Sequence, residues 1–203
     1  MEVIVFTSQS KTDTEIQRIK DLFDNGLETL LIRKPKWSSS DIESFIQAIP
    51  EVHHKRIVIH GHYTLALKYG LKGIHLRRRH RSNSWKNRWK RFYLKLRKPN
   101  LVICTTFNSL ESLRDNKQAF DFVFLNSVFT SHTHYSKNEE AGINMLKSII
   151  GHSSVPVYAL GGVRPEHIKV VKAAGFDGVG LSSYVWKSVN DNVEQLLSNF
   201  LAA

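Results

Sequence analysis

Apolar residues fall along this chain in short, nearly continuous runs, separated by stretches in which they recur every three or four positions. The runs are residues 3–7, 29–34, 56–60, 73–76, 102–106, 122–129, 155–160 and 178–181, rich in β-branched and aromatic side chains. Continuous rather than alternating apolarity is expected of parallel strands covered on both faces. Between them, residues 12–24 place Ile16, Ile19, Leu22 and Phe23 on one helical face. The segment SSSDIESFIQAI opens with cap-type residues, and Ser40 with Glu43 has the spacing of a capping box. RPEHIKVVKAAG carries a proline in its first turn and stops at Gly175, and NDNVEQLLSNFL near the C-terminus is amphipathic. Eight strands alternating with helices in 203 residues predict an α/β fold, a single-domain (β/α)8 TIM barrel over residues 1–203. A doubly wound open sheet has the same pattern, since closure leaves no mark in the sequence.

Composition changes this picture little. The apolar fraction of 41% and charged fraction of 23% are those of a folded globular protein. A lone Cys104 makes no internal disulfide, and no apolar run is long enough to span a bilayer. With no signal-peptide pattern at the N-terminus, a cytoplasmic protein with no membrane partner is expected.

Charge changes it more. The net charge of +11 comes from one place: residues 77–98 hold eleven Lys and Arg and no acid, leaving eighteen bases against eighteen acids elsewhere. This basic insertion at 77–98, between the fourth and fifth strands, begins with HLRRRHR, residues 75–81. Further on, Trp85, Trp89, Phe92, Tyr93 and Leu96 lie among the bases. Aromatics beside cations suit single-stranded nucleic acid. The same spacing makes one apolar helix face, and packing of that face against the barrel is the reading adopted here, so a nucleic-acid partner is not expected.

The strongest local signal is VYALGGVRPEHI, residues 157–168, a strand running into Gly161-Gly162 with a helix close behind. Glycines let backbone approach a ligand, and the next strand ends with the hydroxyls of Ser182 and Ser183. Phosphate sites of these barrels are commonly built from the loops after strands seven and eight, so Gly161, Gly162, Ser182 and Ser183 are the candidate phosphate ligands.

The order of LLIRK, KYGLKGIHL, FDFVFLNSVFTSHTH, VPVYALGG and FDGVGLSS resembles the thiamine phosphate synthases and their TenI-like thiazole tautomerase relatives, nearly end to end. The resemblance implies a (β/α)8 barrel and phosphorylated small-molecule substrates. The synthases couple a pyrimidine diphosphate to a thiazole phosphate and release diphosphate, with Mg²⁺ on the leaving group; the tautomerases aromatise the thiazole phosphate. Carried over residue by residue, it implies diphosphate contacts from Arg33 and Thr106; the family's lysine after Arg33 falls on Pro35, so Lys34 or Lys36 is expected to take its place. Ser131-His132-Thr133-His134 falls on the loop that grips the thiazole phosphate, making Ser131 and Thr133 phosphate ligands. Two signatures are altered. The family's Asn-Asp after strand three is His60-Gly61, and its second metal-binding Asp is His80, so the Mg²⁺ carboxylates are missing and no cofactor is assigned with certainty. Arg77, Arg78 or Arg79, one or two of the three, is expected to do part of the metal's work, because arginine neutralises diphosphate with a planar fork of donors. Histidines 60, 62, 75 and 80 are read as hydrogen-bonded or solvated imidazoles rather than a Zn²⁺ site. The tautomerases' base position is Asn126-Ser127, which leaves His132 or His134 as general base beside Arg33. The resulting expectation is a synthase-type transferase, with the tautomerase and a non-catalytic binder as alternatives. No oligomeric state follows from these residues.

Overall fold

In the structure, a computed structural model, residues 1–9, 14–81, 84–116, 118–126, 128–129, 139–187 and 192–201 are described. Eight parallel strands form a closed barrel in chain order, β8 returning to pair with β1. They are β1 (Glu2–Phe6), β2 (Thr29–Ile32), β3 (Ile57–His60), β4 (Gly73–His75), β5 (Val102–Phe107), β6 (Phe122–Asn126), β7 (Val157–Leu160) and β8 (Gly178–Leu181). The first seven strands are followed by α1 (Glu15–Asp24), α2 (Ser39–Ala48), α3 (Tyr63–Lys68), α4 (Trp85–Arg97), α5 (Leu110–Arg114), α6 (Glu139–Ile150) and α7 (Ile168–Ala173). After β8 come α8 (Ser183–Lys187) and α9 (Val193–Leu201). The open sheet is thereby excluded. Among the described residues no helix is long and apolar enough to cross a membrane.

Strand periodicity sorts the side chains into two layers. Ile4, Phe6, Leu31, Val58, Cys104, Phe122, Phe124 and Tyr158 fill the barrel. The intervening residues, such as Val3, Val5, Leu30, Ile32, Ile57 and Ile59, join the helices in the outer core. The interior holds large rings because β8 contributes glycine there. A Cβ on Gly178 would lie 2.9 Å from the Tyr158 ring, and one on Gly180 would lie 3.0 Å from the rings of Phe6 and Phe124.

Three local expectations are corrected. The capping box of α2 is Ser38 with Asp41, not Ser40 with Glu43. Ser38 Oγ accepts from the Asp41 amide at 3.1 Å, and Asp41 Oδ2 from the Ser38 amide at 3.0 Å. The chain is still extended at Ser38, so the cap falls two residues earlier. Next, β6 ends at Asn126 rather than Phe129. The amides of Val128 and Phe129 donate instead to Leu160 and Gly161, drawing the chain across the end of β7.

The third concerns the basic segment, which is the fourth unit's own loop and helix. Its aromatic stripe does not pack on the barrel. Trp85 is 67% exposed, Trp89 62% and Leu96 67%, and Phe92 and Tyr93 are exposed too. Only Leu94 of α4 is buried. At 100° per residue Leu94 lies opposite the stripe, so seating Leu94 on the barrel turns the stripe to solvent.

Candidate active site

The strand ends decide which polar side chains can meet. Leu31 points into the barrel, so Arg33 two residues on is carried to the mouth, whereas Lys34 follows Ile32 to the outside. Lys34 is therefore not available as a diphosphate ligand. Its ammonium is fully buried, 2.5 Å from the equally buried Glu15 carboxylate, with the Trp37 ring 4.8 Å away. Burial pushes the Glu15 carboxyl up and the Lys34 ammonium down, against the pull of the ion pair and its hydrogen bond.

Arg33 enters a cavity of about 250 Å³ at the C-terminal end of the barrel, shared with Gly161, Gly162, Ser182 and Ser183. The turns after β7 and β8 thus open onto the same space. Thr7, Gln9, Asn126 and Tyr184 also line it. Of these, Gln9 and Tyr184 carry no recognisable signature in the sequence. Gly161 and Gly162 have φ of 92° and 73°, the left-handed region that glycine enters without penalty. Gly162 has a second reason to be glycine: a Cβ there would come 1.9 Å from the Phe129 carbonyl oxygen. The β6 loop lies directly on the Gly-Gly turn, held by the 3.0 Å bond from Phe129 N to Gly161 O. Phe129 also stacks on His167, ring centroids 4.2 Å apart. The helix after Ser182 is a bare turn and a half, so anion binding here would depend on direct amide and hydroxyl donors rather than on a helix dipole.

On the other side of the mouth, histidines form a chain across three strands. His60 Nδ1 and His75 Nδ1 are 2.7 Å apart, and His75 Nε2 is 2.8 Å from Thr106 Oγ1. Burial, then the neighbouring Arg33 and Arg77, push His60 down to about 4; burial and the His60 and Arg33 charges push His75 down as well. Both imidazoles are neutral at neutral pH. The Thr106 hydroxyl, expected to meet diphosphate, is engaged by His75.

HLRRRHR resolves residue by residue. The Arg77 guanidinium lies over Gly61, where a Cβ would come within 2.5 Å of its Nε, and Arg77 Nη2 is 3.4 Å from His62 Nε2. Arg79 Nε donates to His80 Nε2 at 3.2 Å, and His80 Nδ1 is 3.0 Å from the Tyr63 hydroxyl. Arg81 donates to the Thr106 carbonyl at 2.7 Å and stacks on Phe107. Arg77, Arg79 and His80, with Gly61, His62, Tyr63 and Lys90, line a second cavity of about 340 Å³ between the β3 and β4 ends and α4. Arg77 therefore belongs to this cavity and not to the one bearing Gly161.

A Mg²⁺ ion does not fit these residues. Gly61 offers no side-chain ligand, and the Arg77 guanidinium fills the space a side chain there would take. His80 presents both ring nitrogens to Tyr63 and Arg79. Among the described residues no group of three or more His, Cys, Asp or Glu could hold a metal ion. A unit positive charge 4 Å from a guanidinium meets about 4 kcal/mol of repulsion at an effective dielectric of 20, and a divalent ion about twice that. Ser131, His132, Thr133 and His134, expected at the phosphate site or as general base, lie outside the described residues.

A closed eight-stranded barrel with polar cavities at the C-terminal ends of its strands places the chain among the (β/α)8-barrel enzymes. A family described as thiamine monophosphate synthase matches residues 2–185, and the chain belongs to that family. It is 25% identical over 179 residues to the thiamine-phosphate synthase of Clostridium novyi, covering 87% of this chain and 84% of that protein. The putative thiamine-phosphate synthase 2 of Aquifex aeolicus is 23% identical over 175 residues, 84% of this chain and 89% of the relative. Among solved structures, the thiamine phosphate pyrophosphorylase of Bacteroides thetaiotaomicron superposes with a TM-score of 0.74 at 25% identity, covering 98% of this chain and 95% of that one.

Proposed function

We propose that this chain is a synthase-type transferase that joins a pyrimidine diphosphate to a thiazole phosphate. The bond from pyrimidine to diphosphate breaks, its electron pair leaves on the diphosphate, and the thiazole takes the vacated position. The observation that carries this reading is the pairing of two distinct cavities at one barrel end. The first offers glycine amides and two serine hydroxyls, a set suited to a monophosphate, with Arg33 beside them left for the diphosphate. The second offers Arg77, Arg79 and Lys90, more positive charge than one monophosphate calls for. A tautomerase needs the first cavity alone. Arg33, between Thr7 and the His60–His75 pair, is suited to stabilise charge developing on the leaving group. The test is product formation from the two phosphorylated precursors, with and without Mg²⁺. Thiazole phosphate isomerised without coupling would support the tautomerase, and bound but unaltered substrate would support a binder.

One observation favours a nucleic-acid partner as a second reading: the Trp85, Trp89 and Phe92 rings of α4 are exposed among its bases. Labelled single-stranded oligonucleotide tests it. Binding that weakens steeply between 50 and 200 mM salt, and that Trp85→Ser with Trp89→Ser abolishes, would establish it.

A further inference from the structure

Every described residue lining the second cavity comes from one continuous stretch, and that stretch has an unusual charge pattern. No Asp or Glu occurs between Glu51 and Glu111. The lining of Gly61, His62, Tyr63, Arg77, Arg79, His80 and Lys90 therefore contains no carboxylate of its own. The cationic groups are held in place rather than merely present. The Arg77 amide donates to the Tyr63 hydroxyl at 3.1 Å, and its guanidinium is seated on the bare backbone of Gly61. Lys90 sits 5.0 Å over the Tyr63 ring. The Arg91 guanidinium reaches the His80 carbonyl at 3.3 Å, tying α4 to the loop after β4. His62 and His80 are pushed down by burial and by their Arg and Lys neighbours, so they stay neutral and leave the anion to the permanent cations.

From this we infer that the second cavity binds a diphosphate group directly through Arg77, Arg79 and Lys90, with no divalent metal ion. The inference rests on the coupling reading for its natural ligand, a diphosphate ester, but its chemistry concerns the diphosphate alone. Gly61 and Arg77 form the central pair. The glycine removes the side chain that would collide with the guanidinium, and its φ of 74° suits the tight turn that lets Arg77 lie across it. A planar guanidinium supplies positive charge and paired hydrogen-bond donors to phosphoryl oxygens, in place of the charge neutralisation and oxygen coordination that a metal ion would give a leaving diphosphate.

Isothermal titration calorimetry with inorganic diphosphate in EDTA tests the inference on the whole protein. Diphosphate should bind more tightly than inorganic phosphate, and added Mg²⁺ should leave the affinity unchanged or lower it. Arg77→Ala should weaken diphosphate at least tenfold. Gly61→Asp, which sets a carboxylate against Arg77, should do the same. Circular dichroism and inorganic phosphate binding at the first cavity should remain as in wild type and show that each variant is folded. Binding only with Mg²⁺, no binding in either buffer, or full affinity in folded Arg77→Ala would each overturn it. The coupling reading fails by a different outcome, no product from the two precursors, which leaves the titration result intact.

Discussion

Replacing Lys34 by Met removes the ammonium from the buried pair with Glu15 and tests that pair against the diphosphate contact expected of Lys34 from the sequence. The Glu15 carboxylate would keep the Ser8 amide at 3.0 Å but lose its counter-charge in a site closed to water. Breaking one side of a buried pair costs about 3–5 kcal/mol, most of it the uncompensated charge left behind. With a urea slope of about 1.5–3 kcal/mol per molar, the unfolding midpoint should drop by about 1–3 M. The deficit depends on pH. In wild type burial already pushes the Glu15 carboxyl up, and without Lys34 it rises further. A carboxyl whose folded value lies above its unfolded one lends stability in acid, and this is lost as pH rises through the folded value. The gap between variant and wild type should therefore be widest near pH 8 and narrow toward pH 5. Adding Glu15→Leu should recover most of the loss and flatten the pH response, since apolar replacement of a buried pair is often neutral. Diphosphate affinity should not change in either variant. A Lys34→Met protein of wild-type stability with greatly weakened diphosphate binding would refute this reasoning and return Lys34 to the mouth of the barrel.

Gly162→Ala places a Cβ against the Phe129 carbonyl at a left-handed position, so about 2–4 kcal/mol of stability should be lost, lowering the melting temperature by about 5–15 °C. Inorganic phosphate binding should weaken with it; a variant with wild-type melting would show that the β6 loop does not rest on this turn. Arg33→Ala should weaken diphosphate substrate more than monophosphate. It should also raise His60 from about 4 toward an ordinary imidazole value, followed by NMR titration, and an unmoved His60 would place the Arg33 charge elsewhere. Trp85→Ser with Trp89→Ser should change stability by less than about 0.5 kcal/mol per site, because neither ring is packed on the barrel. A clear loss in denaturant melts would show that the stripe is covered in the folded protein.

The barrel was legible because parallel strands buried on both faces leave unbroken apolar runs, and eight of them leave little chain for anything else. The joint opening of Gly161, Gly162, Ser182 and Ser183 on one cavity was legible for the same reason, as adjacent strand ends must share the mouth. Lys34 is a neighbour of the Pro35 that replaces the family's lysine, and nearness in sequence does not decide which face of the strand a side chain takes. The period of two along β2 already opposed Lys34 to Arg33. For α4 the periodicity identified a face but not its direction, which depends on whether Leu94 or the aromatic stripe meets the barrel. The Arg77–Gly61 contact was invisible for a different reason. Two loops from neighbouring strands create it, and a glycine announces room without naming its occupant.

The contact between His60 and His75 leaves the direction of the hydrogen bonds across these three strand ends reversible. Two neutral imidazoles joined Nδ1 to Nδ1 share a single proton at the junction, so their tautomers are complementary. If His60 carries it, His75 bears its own single N–H proton on Nε2 and donates to Thr106, and Nε2 of His60 is an acceptor. If His75 carries it, Thr106 donates instead and His60 Nε2 becomes a donor. The barrel can thus offer either hydrogen-bond polarity from the same heavy-atom positions and at the same net charge. Reversing it requires only protons to change place.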